Sequence, residues 1–164
     1  MEIYILRHGV AEEGGPGMRD ADRRLVPEGK DKLRQVLRRA REAGVRPNAI
    51  ITSPYIRAVE TARMAAGELD FSGDLYETEA LVPESSPQLV WDELRIHRDA
   101  PQVLLAGHEP LLGAVYAYLL DAPTLRVDVK KGSLGRIDVS GMGARPRGVL
   151  RWIITARTAG SLRD

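Results

Sequence analysis

Short apolar runs alternate along the chain with longer amphipathic stretches. Ile3–Leu6 is a β-rich run that ends at Arg7-His8-Gly9. A polar, Gly-rich loop follows from about Ala11 to Arg24. Leu33, Val36, Leu37 and Ala40 then recur at i, i+3, i+4, i+7, one face of a helix that Gly44 and Pro47 close. Ala49–Thr52 predicts a second buried strand, and Ser53-Pro54 reads as N-cap and first position of a helix running to about Gly67. Leu75–Thr78 predicts a weaker strand, and Ser85, Ser86 and Pro87 start a helix through about His97. Gln102–Ala106 is a third apolar run. Gly107-His108-Glu109-Pro110 turns it into a helix with Leu112, Val115, Tyr116 and Leu119 on one face. Ser133–Val139, a Gly-rich turn over Gly141–Gly148, and Val149–Thr155 read as a hairpin. From about Ala156 the chain is polar and expected to be loose.

This alternation predicts an α/β domain spanning residues 1–164: a three-layer α/β/α sandwich around a mostly parallel sheet, mixed where the hairpin joins. At 164 residues the chain is long enough to bury its own core without a disulfide or metal staple. The absence of cysteine excludes thiol nucleophiles, disulfide scaffolds and Cys-ligated metals. A net charge of +1 argues against a nucleic-acid partner, although arginine outnumbers lysine 20 to 4. Apolar runs fall far short of the ~20 residues that span a bilayer. The first residues resemble no signal peptide, so a cytoplasmic location without membrane association is expected.

Ligand sites of such sheets lie at the carboxyl ends of the strands. Three reactive segments arrive there: Arg7-His8-Gly9, Ser53 to Arg57, and Gly107-His108. Imidazole suits a nucleophile or base near neutral pH. Arginine suits the oxygens of phosphate or carboxylate, and Gly9 permits a close backbone approach. Arg57, one turn into its helix, would lean back toward the strand ends, where free amides favour an anion. Each segment alone also fits a structural role: a strand-end histidine, a solvated arginine, a capping histidine. Of the three histidines, however, two fall at strand ends, while His97 near a helix terminus reads as a surface or dipole-compensating residue. Two arginines, two histidines and two helix N-termini in one crevice describe a dianion site with a nucleophile, and phosphoryl transfer fits it. The arginines and one imidazolium would neutralise the equatorial oxygens while a neutral imidazole attacks phosphorus. No cofactor is required. A metal is disfavoured, since only two histidines converge and arginines would repel a cation.

Arg7-His8-Gly9, Ser53-Pro54-Tyr55-Ile56-Arg57-Ala58-Val59-Glu60-Thr61 and Gly107-His108-Glu109-Pro110 resemble the signature segments of the histidine phosphatase (phosphoglycerate-mutase-like) superfamily. Their order and spacing are most similar to its SixA-type phosphohistidine phosphatase branch. Arg24-Leu25-Val26-Pro27-Glu28-Gly29 and Lys130-Lys131-Gly132-Ser133 extend the likeness over essentially the whole chain. The resemblance implies that His8 is the phosphorylated nucleophile, that Arg7 and Arg57 bind phosphate together with Gly9, and that His108 donates to the phosphoryl group. It also implies an acid after the second strand–helix unit. Glu79 and Glu84, flanking Ala80-Leu81-Val82-Pro83, are the candidates, and the expected carboxylate position falls near Ala80. The polar residue and Asn that follow the motif in mutases are missing from Val10 to Gly14, which speaks against sugar-phosphate mutase activity. No long insertion follows Arg57, so an open, shallow pocket is expected. Together these features imply a metal-independent phosphatase that takes phosphohistidine on a protein partner and releases inorganic phosphate. The alternatives are a small-molecule phosphomonoesterase and a non-catalytic phosphoprotein-binding domain.

Overall fold

The computed structural model describes residues 1–161. Six strands form one sheet: β1 (Glu2–Arg7), β2 (Ala49–Thr52), β3 (Leu75–Glu77), β4 (Gln102–Gly107), β5 (Leu134–Val139) and β6 (Gly148–Ile154), in the order β3-β2-β4-β1-β5-β6. The first four run parallel, and β5 lies antiparallel to both β1 and β6. The central strands are apolar without interruption because both faces are covered. Alternate side chains then divide between two cores. Ile3, Ile5, Val103 and Leu105 pack with Trp91, Leu94, Leu112 and Val115 from α3 (Pro87–Ile96) and α4 (Leu111–Leu119). Tyr4, Leu6, Leu104 and Ala106 pack with Leu33, Val36, Leu37, Ala62 and Ala65 from α1 (Pro27–Glu42) and α2 (Ile56–Glu68). The result is the expected three-layer α/β/α arrangement with a mixed sheet.

Helix α1 begins with Pro27 in its first turn and buries Leu33, Val36, Leu37 and Ala40. It stops at Gly44, whose φ of +84° takes the left-handed conformation. The Gly44 amide bonds Arg41 O and the Val45 amide bonds Ala40 O, both at 3.0 Å, which satisfies the last carbonyls of the helix.

Two boundaries differ from expectation. Helix α2 starts at Ile56 rather than at Pro54, with no side-chain cap on Tyr55. Ser53 Oγ instead accepts the Tyr55 amide at 3.3 Å, a local turn that competes with helix initiation. The chain from Ala156 is not loose throughout: Ala156–Ser161 forms a short helix, α5, that packs on α1 and buries Ala159. Residues 162–164 of that expectation lie outside the described residues. Among the described residues no helix is long and apolar enough to cross a membrane.

Candidate active site

Strands β2, β4 and β1 are neighbours, and their carboxyl ends bring the three reactive segments together. Arg7 stands opposite Gly107 in the parallel register. Past the strand ends, the His8 amide donates to Gly107 O and the Ser53 amide to Ala106 O, both at 3.0 Å. On the other side, the Gly132 amide donates to both Arg7 O (3.1 Å) and His8 O (3.0 Å), with Gly132 at a φ of +73°. The backbone of the His8 turn is therefore held by the end of β4 on one side and by the turn that precedes β5 on the other.

The turn is also packed from below. A side chain at Gly29 would bring its Cβ to 2.9 Å from the Val10 amide nitrogen, and one at Gly9 to 3.2 Å from Gly29 O. Two backbones meet there with no room for a methyl group. The Gly9 amide donates to Thr61 Oγ1 at 3.2 Å, and Thr61 Oγ1 donates back to Arg57 O at 2.7 Å, which ties the turn to α2. That amide is thus spent within the protein. Glu60 adds a second tie by accepting the Leu25 amide at 2.7 Å.

His8, Arg57 and His108 are buried, with 5%, 4% and 1% of their surfaces exposed. The two imidazole centroids lie 5.0 Å apart, and the Tyr55 ring is 5.0 Å from His108 on another side. His8 Nδ1 lies 2.7 Å from Gly9 O. A carbonyl oxygen only accepts, so Nδ1 carries the proton and Nε2 carries the lone pair. Arg57 Nε–H donates to that Nε2 at 3.3 Å. Burial pushes His8 down to about 4; the Gly9 bond opposes this, and the charges of Arg57, Arg7 and Lys131 reinforce it. Burial, with His8, Arg57 and Arg7, pushes His108 down to about 3 against an opposing pull from Asp20. Burial therefore disfavours the imidazolium form of both rings in the free site.

Arg7 Nη1 donates to Val129 O at 2.6 Å, and its Nε is buried without a partner. His108 Nε2 is 2.8 Å from Ser53 Oγ, and its Nδ1 is likewise buried without a partner. Of the three buried side-chain polar atoms left unpaired among the described residues, two belong to this site. Unpaired buried polar atoms are rare, and here they mark places a ligand would fill.

The loop from Ala11 to Arg24 folds into a short 3-10 turn, Asp20–Asp22, and lays Asp20 over Arg57. Arg57 Nη1 donates to Asp20 O at 2.5 Å and Nη2 to Asp20 Oδ2 at 2.8 Å. Arg23 steadies the loop by donating to Asp20 Oδ1 (2.8 Å) and Glu12 O (2.6 Å). Partial burial raises the Asp20 carboxyl, but hydrogen bonds from Arg23 and Arg57 outweigh it and hold the group below the usual range. Asp20 is therefore ionised at neutral pH and carries no proton to give. Three of Arg57's five N–H groups are engaged, and two remain for a ligand.

The candidate acids are not drawn into the centre. Glu79 is exposed and opens a 3-10 turn, Glu79–Leu81, with no hydrogen bond to either histidine or to Arg7 or Arg57. Glu84 is exposed too, with Oε2 3.5 Å from the hydroxyl of Tyr55. Ala80 sits between them in that turn, its amide bonded to Thr78 Oγ1. His97 caps the end of α3, 3.5 Å from Glu93 and with its ring tilted against Tyr76, away from the other two histidines. Asp20, Ser53 and Thr61 are the site neighbours that sequence reasoning missed. The Ser-Pro pair hid Ser53 by resembling a helix cap, and Thr61 sat unremarked in the Ser53-to-Thr61 segment. Nothing in the sequence tied Asp20 to Arg57.

Comparison with known proteins agrees with the geometry. Residues 3–82 match the family model of the histidine phosphatase superfamily (branch 1). An uncharacterized protein of Picosynechococcus is 34% identical over 116 residues, 69% of each chain. Among solved structures, the protein histidine phosphatase SixA complexed with tungstate superposes with a TM-score of 0.83 at 22% identity, covering 96% of this chain and 98% of that one. The α-ribazole phosphatase from Shigella flexneri gives 0.73 at 17% identity, covering 95% and 97%. A mycobacterial glucosyl-3-phosphoglycerate phosphatase gives 0.67 at 15%, covering 92% and 96%. With the signature segments gathered at the carboxyl ends of three neighbouring strands and the family's fold built around them, the chain belongs to the histidine phosphatase superfamily and is a phosphatase of that family.

Proposed function

We propose that this phosphatase hydrolyses phosphohistidine on a protein substrate through a covalent phosphohistidine at His8. The observation that carries the reading is the state of His8: its Nδ1–H is locked on Gly9 O, and its Nε2 lone pair faces Arg57 Nε–H. In the first step Nε2 attacks phosphorus and the substrate's P–N bond breaks, with the bonding pair leaving on the substrate imidazole. Arg57 Nε–H passes from His8 to a phosphoryl oxygen, joined by the free Nε–H of Arg7. In the second step water attacks phosphorus, the P–Nε2 bond breaks, and inorganic phosphate departs. A tetrahedral oxyanion is the shape the site complements, and the tungstate complex of the similar SixA structure accords with that.

The leaving group supports the substrate class. Among the described residues no carboxyl group bonds either His8 or His108, and Arg23 and Arg57 favour the ionised form of Asp20. An alkyl phosphoester expels a poor leaving group that needs a proton donor. A phosphorylated imidazole can take a proton on its other ring nitrogen, at a pKa near neutrality, and leave as neutral imidazole without enzymic help. The related small-molecule phosphatases make a free phosphoester the competing reading. The test is kcat/KM at matched pH for a panel of phosphohistidine proteins against simple sugar and nucleoside phosphates. The expected preference is at least about tenfold, or about 1.4 kcal/mol of transition-state binding. A sugar or nucleoside phosphate turned over faster than every phosphohistidine protein would replace the substrate assignment while leaving the His8 chemistry in place.

A further inference from the structure

Ser53 is wholly buried, and its hydroxyl has two neighbours. One is the Tyr55 amide at 3.3 Å, which is a donor and so occupies a lone pair of Oγ. The other is His108 Nε2 at 2.8 Å. The hydroxyl proton thus has one available acceptor, the imidazole nitrogen. If Nε2 carried the proton instead, both the Ser53 hydroxyl hydrogen and the His108 Nδ1 lone pair would be buried without partners. With the proton on Nδ1, a single group is left over, an N–H donor in the phosphoryl site. The second arrangement leaves fewer buried polar groups unpaired.

From this we infer that Ser53 is a positioning residue that fixes His108 as its Nδ1–H tautomer, so that a neutral imidazole donates a hydrogen bond to the phosphoryl oxygen. The inference rests on the proposed function for its chemistry and on the Ser53 geometry for its tautomer. It explains how His108 can assist while uncharged. Burial and three neighbouring cationic or ring groups disfavour its imidazolium in the free protein, yet the correct tautomer of a neutral ring still supplies a donor. Ser53 never touches the phosphoryl group and acts only through the ring it orients.

The experiment is long-range proton–nitrogen NMR of the intact protein at pH 7, with the three histidines assigned from His8→Ala and His97→Gln variants. His108 should show a pyrrole-type Nδ1 and a pyridine-type Nε2. In Ser53→Ala the Nε2–H form should gain population. With an aryl phosphate, kcat should then fall by about tenfold with KM changed less than threefold, as expected when a functional imidazole loses its tautomeric control. Ser53→Thr, which keeps the hydroxyl, should restore both the nitrogen pattern and kcat. An Nε2–H pattern in the wild type overturns the inference, and that spectrum decides it even if a Ser53 variant fails to fold. A folded Ser53→Ala protein with an unchanged pattern, or with a changed pattern and unchanged kcat, overturns it as well. Trapping labelled phosphate on wild-type His8 tests the underlying reading separately. Its absence would remove the phosphatase mechanism and leave the tautomer result standing.

Discussion

The ends of β1 and β4 lie side by side in register, and each is followed by a buried histidine. The two rings are nevertheless bonded in opposite senses. His8 is gripped at Nδ1 by the carbonyl of Gly9, which leaves the Nε2 lone pair to Arg57 Nε–H. His108 is gripped at Nε2 by Ser53, which leaves Nδ1 unpartnered. Position at a strand end therefore brings an imidazole to the site, while, on the function proposed above, the group on its far nitrogen sets what the ring would offer there: an electron pair from His8, a donor from His108. Burial disfavours the charged form of both rings, so on the proposed mechanism the arrangement would supply a nucleophile and a hydrogen bond at pH 7 without relying on their titration.

Removing each ring should break this comparison unequally. His8→Ala should abolish turnover of an aryl phosphate and of any phosphohistidine protein. Rapid quench with labelled substrate should trap an acid-labile, base-stable phosphoenzyme in the wild type and none in the variant. Equal phosphoenzyme yield from both would place the nucleophile elsewhere. His108→Ala should still form that phosphoenzyme but lose on the order of 10²–10³ in kcat, the cost of one preorganised donor. If the two variants lost activity equally and neither could be trapped, the asymmetry between the rings would be wrong.

Arg57→Lys sharpens the His8 side. The guanidinium reaches His8 Nε2, the Asp20 backbone carbonyl and Asp20 Oδ2 at once. An ammonium group is a point charge that cannot span them and still bind two phosphate oxygens. The expected loss is about 10² in kcat/KM, at the low end for an oxyanion ligand. A loss below about threefold would put Arg57 outside the phosphate site.

The smallest effect concerns stability. An unfolded histidine titrates near 6.5, whereas His8 and His108 titrate at about 4 and about 3 in the fold. Between those limits the unfolded chain binds more protons, so stability falls as pH drops below about 6.5. The slope is at most about 1.4 kcal/mol per pH unit for each ring. Urea midpoints at pH 7 and pH 5 should therefore differ less in a His8→Ala/His108→Ala double variant than in the wild type. An identical shift in both proteins would show that carboxylates account for the dependence.

The features legible in the sequence were those with a repeat or a tight local pattern. The Leu33-to-Ala40 face of α1, the apolar runs of β1, β2 and β4, and the strand-end placement of His8 and His108 all follow from period and burial. Contacts made across the fold were not legible. Asp20 meets Arg57 from 37 positions away, out of a loop with no periodicity. Ser53 carries a cap-like local signal that a neighbouring strand's histidine overrides. Helix α5 buries one alanine, too little to mark an amphipathic stripe.

The backbone contact between Gly29 and Val10 bears on how a mutational scan of this protein would read. Any side chain at position 29 must push the first turn of α1 away from the segment just after His8. Substitutions there should look like active-site lesions in an activity screen, although glycine brings no functional group and belongs to a different element. Intolerance at that position would measure how finely the nucleophile must be placed, and a search confined to reactive side chains would pass over it.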